Sequence, residues 1–306
     1  MKPTLHDIQY DNVLSNVSMA YQNADYIAEQ IFPVLPTKKL TGKFYVYDKA
    51  KFRKVSSLRA MGSASKEVGY GLSFSTAFNC DDHALVELVP DELKTQAESP
   101  LSPEIDATEN VSERLMIEKE YDLATYMQNT ANLTNNTTLS GTDQWSDYEN
   151  SDPIGDIETG IESVRSKIFK AANTLVMGQE TWNKLKHHPD LIERIKYSGF
   201  GKFTAAALAD LLDLDQVLLG AAGRNTAVEG QTDALGYIWG KYAWVMYKTR
   251  RPGIKQVSFG YHFQHKKSVD KWYDKVREGT FVRVHDFYTR EVLTVDAAYL
   301  IKNAVA

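Results

Sequence analysis

Cysteine is almost missing: Cys80 stands alone among 306 residues, which excludes an intrachain disulfide. Long hydrophobic runs are missing as well, and none approaches the roughly 18 apolar residues that a bilayer-crossing helix needs. The first residues, Met1 to Asp7, lack the apolar stretch and small-residue cleavage site of a signal peptide, so cytoplasmic synthesis is expected. An excess of positive charge is missing too. Thirty-five Lys and Arg face 40 Asp and Glu, a formal charge of -5, which argues against a protein whose main work is neutralising a phosphate backbone. With 18 Gly and 9 Pro the chain is neither collagen-like nor of low complexity. What is left, 43% hydrophobic and 25% charged, is a soluble globular protein of two domains or one large domain with insertions.

Catalytic signatures are equally scarce. Neither a phosphate-binding loop nor a dinucleotide fingerprint occurs, and Gly69-Tyr70-Gly71 lies in a strand pattern. No Gly-x-Ser-x-Gly elbow is present. His187 and His188 are neighbours whose side chains would point about 100° apart on a helix, with no further ligand at zincin spacing. Asp81-Asp82-His83 has ligand-type residues but reads as an acidic step out of a strand. Cys80 follows no base and precedes two acids, which disfavour a thiolate, so it is expected as a packing thiol. No catalytic residue, cofactor or metal is therefore expected.

What is there is an uneven charge map. Lys43 to Lys66 holds seven basic residues (Lys43, Lys49, Lys51, Arg53, Lys54, Arg59, Lys66) and one acid, Asp48. Asp81 to Asp122 holds 13 acids, among them Glu104, Glu109, Glu113, Glu118 and Glu120, against Lys94, Arg114 and Lys119. Two adjacent segments thus carry opposite fields. The aromatic and β-branched runs in 43–55 and 67–89 predict the two arms of a long hairpin, with small, polar 56–65 as its exposed tip. Such a hairpin has too few alternating apolar residues to stand alone and needs another surface.

Ser102-Pro103-Glu104 predicts a helix start, with Ser at the cap and Pro in the first turn, and a helical period continues to about Ala131. Residues 132–153 read as a connector. Asp152-Pro153 opens a second helix with apolar residues at Ile154, Ile157, Ile161, Val164 and Ile168. Strand 174–177, short helices at 180–186, 189–196 and 204–212, and strand 216–219 predict a small α/β layer. Tyr237–Tyr247 reads as one more aromatic strand run. Gly279–Ile301 reads as two strands about a turn at Tyr288-Thr289-Arg290, returning to the body that holds the long helix.

Particular runs carry a resemblance: Leu139-Ser140-Gly141-Thr142-Asp143-Gln144-Trp145-Ser146-Asp147, then Asp152-Pro153-Ile154, then Asn173 to Gly178. His188-Pro189-Asp190, Ile195-Lys196-Tyr197 and Tyr237 to Lys241 add to it. Together they resemble major capsid proteins of tailed bacteriophages. The resemblance implies an α+β chain of the Hong Kong 97-type capsid fold: N-terminal arm (1–40), E-loop hairpin (41–82), peripheral domain with a spine helix (83–150), axial domain (151–250), and strands returning to the peripheral domain (251–306). It implies assembly with itself as pentamers and hexamers into an icosahedral shell around double-stranded DNA, bound without sequence-specific contacts. A separate scaffolding protein, a portal and a decoration protein would be its other partners, and no membrane is involved. The expected inter-subunit contact sets Lys43, Lys49, Lys51, Arg53, Lys54, Arg59 and Lys66 against Glu104, Glu109, Glu113, Glu118 and Glu120 of a neighbour. Some relatives form a Lys-to-Asn cross-link. Lys51, Lys54, Lys66, Asn303 and Glu291 supply the residue types, but no motif ties them to those roles. Three alternatives stay open: an encapsulin-type compartment, an α/β enzyme using His187, His188 or Asp190, and a soluble tail or adaptor component that forms small rings.

Overall fold

The computed structural model describes residues 26–47, 52–65, 67, 72–74, 77–97, 101–196, 203–228, 230–253 and 256–306. One helical turn, α1 (Ala28–Ile31), precedes strand β1 (Val34–Pro36). A hairpin follows. Its arms β2 (Thr41–Gly42) and β3 (Tyr45–Tyr47) pair antiparallel with β5 (Phe78–Asn79) and β4 (Leu72–Phe74) respectively. Every residue from Phe52 to Ser65 between those arms is exposed.

Strand β6 (Asp81–Pro90) and the short α2 (Asp91–Gln96) lead into α3 (Pro103–Gln128), whose 26 residues span about 39 Å. Pro103 takes the first helical position, with Glu104 and Asp106 in the first turn, where the helix dipole favours acids. The Ser102 side chain, expected to cap, makes no capping hydrogen bond. Residues 132–153 are no mere connector. They contain β7 (Asn136–Thr138), and Trp145 is completely buried, with Nε1 donating to Asp156 Oδ2 at 2.8 Å.

Helix α4 (Pro153–Ile168) begins as its sequence dictates: Asp152 Oδ1 accepts from the Gly155 amide at 2.9 Å. Its spacing of three and four buries Ile154, Ile157, Val164 and Ile168. Beyond it come β8 (Thr174–Gly178), α5 (Gln179–Leu185), α6 (Pro189–Lys196), α7 (Ala205–Leu211) and β9 (Gln216–Gly220). The chain closes with β10 (Gly223–Asn225), β11 (Leu235–Tyr237), β12 (Ala243–Met246), β13 (Gly260–Asp274), β14 (Gly279–Val292) and β15 (Ala298–Lys302).

Two larger sheets result. One has the order β7-β15-β12-β8-β9, with β8 and β12 wholly buried and α4 packed on β12 and β15. The other has the order β1-β13-β14-β6 and carries α3 across β6 and β14. The architecture is α+β, with antiparallel pairing predominating.

Three expectations need correction. The 237–247 run splits into β11 and β12 because Gly240, at φ +56°, turns the chain between them. That turn passes so close to β8 that a Cβ on Gly178 would lie 1.9 Å from the Gly240 carbonyl oxygen. There is no turn at Tyr288-Thr289-Arg290, since β14 runs unbroken through these strand-forming residues. Finally, β15 does not pair beside β14; it lies between β7 and β12 in the five-stranded sheet, where it also meets the long helix.

Ile157 is completely buried and Ile105 is 58% exposed, so truncating each should separate core from surface. Ile157→Ala should cost about 2–5 kcal/mol and Ile105→Ala no more than about 0.5 kcal/mol, as measured by denaturant unfolding of the unassembled chain.

Candidate assembly surface

Helix α3 has a charged interior side as well as an exposed one. Lys119 and Glu120 are adjacent, so their side chains leave the helix in different directions, and both are buried. Lys119 Nζ reaches Asp286 Oδ2 on β14 at 2.8 Å and Glu29 Oε1 on α1 at 3.0 Å. Gln264 Nε2 donates to the other Asp286 oxygen at 3.0 Å. Glu120 accepts from the Ala28 amide at 2.8 Å and from Trp239 Nε1 at 2.9 Å. Burial pushes the Glu120 carboxyl above the usual range, and these two donors oppose that shift.

Around this cluster the rings are stacked. Tyr288 lies against His83, with centroids 4.3 Å apart, and against His262 at 4.9 Å. Lys119 Nζ sits 4.6 Å from the Tyr288 ring centroid. Burial pushes the Tyr288 hydroxyl up to about 12. His262 is 1% exposed and neither ring nitrogen has a hydrogen-bond partner. Burial, reinforced by the positive charges of Lys119 and Arg290, holds its pKa down at about 4.

The expected contact residues divide according to exposure. Lys43, Arg53, Lys54 and Arg59 are exposed on the hairpin, whereas Lys49, Lys51 and Lys66 lie outside the described residues. Glu109 and Glu118 are exposed on α3. Glu113 is half-buried and accepts a hydrogen bond from the Tyr26 hydroxyl. Glu104 is already paired within the chain, to Lys94 at 2.9 Å and Lys271 at 2.7 Å. The hydrogen bonds from Lys271 and Lys94 hold its carboxyl down at about 2. Glu120, expected to face a neighbour, is 1% exposed and cannot do so. Its place was legible: it stands four residues before Ala124 and seven before Met127, on the face that α3 buries.

No reactive constellation forms around the alternative candidates. His187 is exposed, and His188 is buried with Nε2 3.1 Å from Ser151 Oγ. Asp190 Oδ2 is 3.8 Å from His188 Nδ1, and burial lowers the His188 pKa. Cys80 is buried, its thiol pointing to the Phe263 carbonyl oxygen at 3.6 Å, and burial pushes its pKa up. Asp82 pairs with His285 Nδ1 at 2.9 Å. Among the described residues no group of three or more His, Cys, Asp or Glu side chains could hold a metal ion, and no helix is long and apolar enough to cross a membrane.

A sequence model of the family described as phage major capsid protein E matches residues 111–249, from the third turn of α3 to just past β12. The major capsid protein of Burkholderia phage BcepMu is 30% identical over 304 residues, covering 96% of each chain. The chain belongs to the phage major capsid protein family. A crystal structure of a phage-related protein from Bordetella bronchiseptica RB50 is similar to this capsid protein with a TM-score of 0.71 at 26% identity, over 96% of this chain and 97% of that one. The capsid of cyanophage P-SCSP1u shares the fold, with a TM-score of 0.61 at 12% identity over 94% and 90% of the two chains. Membership places this capsid protein in the virion coat.

The buried His262 gives the unassembled capsid protein a specific acid response. Its folded pKa, about 4, lies below the ordinary 6.5, so below pH 6.5 the unfolded chain binds a proton that the folded ring refuses. Stability should therefore fall by about 3 kcal/mol as the pH drops from 6.5 to 4 on account of this group. Glu120, with its raised pKa, acts in the opposite direction in wild type and variant alike. Urea unfolding at a series of pH values should show a shallower acid slope for His262→Gln than for wild type.

Proposed function

We propose that the chain builds the icosahedral head shell of a tailed phage in the Hong Kong 97-type arrangement, as pentamers and hexamers enclosing double-stranded DNA. On this reading residues 1–40 are the arm, 41–82 the E-loop hairpin, 83–150 a peripheral domain on the spine helix α3, and 151–250 the axial domain. Residues 251–306 return to the peripheral domain through β13 and β14, while β15 joins the axial strands.

The observation that carries this reading is the hairpin. It is closed at its base by two short antiparallel pairs and exposed from Phe52 to Ser65, a stretch that contains Arg53, Lys54 and Arg59 and no acid. The hairpin of one copy lies over the acidic spine helix of the next. Each exposed pair contributes only about 0.2–1 kcal/mol, but closed symmetry repeats it around every ring. A formal charge of -5 suits a shell that encloses DNA without gripping it. Scaffolding, portal and decoration proteins are the further partners of such a shell.

Reversing Lys49, Lys51, Arg53 and Lys54 to Glu should abolish shells in electron micrographs and leave a small species by light scattering, with unchanged circular dichroism. Normal shells from this variant would refute the charge-matching contact.

A further inference from the structure

Strand β6 begins at Asp81, opposite Tyr288, so β14 continues from Thr289 to Val292 with no β6 neighbour. The second half of α3 passes over this gap. The result is a cleft of about 360 Å³, within the size range of small-ligand sites. Its walls include the apolar and aromatic side chains of Phe32, Leu123, Tyr126 and Tyr288. Three carboxylates, Asp81, Asp122 and Glu291, line it against one cation, Arg290.

Those charges are poorly satisfied inside the chain. Asp81 accepts one hydrogen bond, from Asn79 at 2.6 Å, while Asp122 and Glu291 have no hydrogen bond or ion pair among the described residues. Burial pushes the Glu291 carboxyl up, as expected for a half-buried acid that has not met a cation. Arg290 lies near enough to Asp122 for the two charges to attract, but it makes no hydrogen bond or ion pair to either Asp122 or Glu291. Its Nε and Nη2 are buried without partners, and its guanidinium sits 5.3 Å from the Tyr288 ring centroid. The cleft thus combines aromatic walls with surplus negative charge, the environment that an extended aliphatic stem ending in a cation fits.

The hairpin tip offers the complementary object. Arg59 stands between Leu58, 88% exposed, and Met61, which is fully exposed. Apolar side chains left this open mark a contact that the isolated chain does not make. The chain's own tip does not fill its own cleft: no residue from 52–65 lines it, and Phe52 rests on Phe169 just past the end of α4, ring centroids 4.9 Å apart.

We infer that this cleft is the socket for Arg59 of a second copy, the guanidinium meeting Asp122 and Glu291 while Leu58 and Met61 cover the aromatic rim. The inference rests on the hairpin reading above and narrows it: the tip engages the cleft at the C-terminal half of the spine helix, not Glu109 or Glu118 on its exposed face.

Carbodiimide cross-linking of assembled Arg59→Lys protein tests it. The variant keeps the charge and places an amine at the tip. Assemblies are formed from equal parts of ¹⁴N- and ¹⁵N-labelled chains, so that mixed-isotope peptides report bonds between copies. The expected result is a mixed-isotope amide from Lys at position 59 to Asp122 or Glu291. In parallel, Asp122→Asn with Glu291→Gln should lower the assembled fraction by about tenfold or more, because the lost contact is repeated around each ring. Glu109→Gln with Glu118→Gln should leave that fraction unchanged. Links from position 59 or Lys54 to Glu109 or Glu118 alone, with the cleft variant assembling normally, would overturn the socket and leave the hairpin reading standing. No mixed-isotope link from the tip to any acid, or a chain that assembles neither alone nor with its scaffolding partner, would overturn both.

Discussion

Everything in the chain turns on two neighbouring residues near the middle of a long helix. Lys119 and Glu120 are both withdrawn from water, a costly placement unless each charge is met. Each is met by different parts of the structure. Lys119 ties α3 to β14 and α1, while Glu120 ties it to the backbone of α1 and to Trp239 beyond β11. Removing one partner would leave a buried charge alone, which is typically far more damaging than losing an exposed pair. The pair therefore fixes which way the helix faces, more than it adds net stability.

From that pair the two sheets acquire their relation. The Trp244 indole donates to the Met127 carbonyl at 2.9 Å, and Gln128 Nε2 donates to the Ile238 carbonyl at 3.0 Å, so the last turn of α3 is bonded to the turn and strand leading through the five-stranded sheet. Toward the other sheet, Val111 and Leu115 pack with Val284 of β14. One helix thus serves two sheets along its length. A rod of this kind, satisfied internally on one side, leaves its opposite side with charges that have no role in holding the chain together.

Much of this was legible where local chemistry and burial agree. Helix α4 follows from the Asp152 cap, Pro153 and a clean apolar period, and β8 from an uninterrupted β-branched and apolar run. The long β13 was not legible. Beyond Phe263 its side chains are largely exposed, with Lys266, Lys267 and Lys271 in a stretch that reads as loop unless its pairing with β14 is known. The turn placed at Tyr288 was misread against its own composition, since it contains neither Gly nor Pro nor Asn. Among the contact residues, Lys43, Arg53, Lys54 and Arg59 could be read as exposed because no apolar period competes with them. The acids of α3 could not be treated as one field: Glu120 belongs to the core by its position four residues before Ala124, and Glu104 is claimed by the nearby Lys94 and by Lys271, distant in sequence. The cleft beside Glu291 escaped notice because it exists only where β6 stops short of β14, a fact of strand pairing rather than of any motif.

The distribution of charge within the fold therefore bears on assembly. A helix carrying many acids would repel itself and its neighbours if all of them were bare, and would be inert if all were paired. Here the acids that set internal geometry, Glu104 and Glu120, are met inside the chain, whereas Glu109, Glu118 and Asp122 remain open to water. The described hairpin cations Lys43, Arg53, Lys54 and Arg59 are likewise open, and the sequence holds no acid from Phe52 to Ser65. The buried charges engaged within the protomer, Lys119, Glu120 and Asp286, resist screening, while those left outside are weak, reversible and sensitive to salt. On the proposed reading that division suits a shell subunit: the chain folds independently of its neighbours, and contacts between copies stay weak enough to be corrected until closure multiplies them.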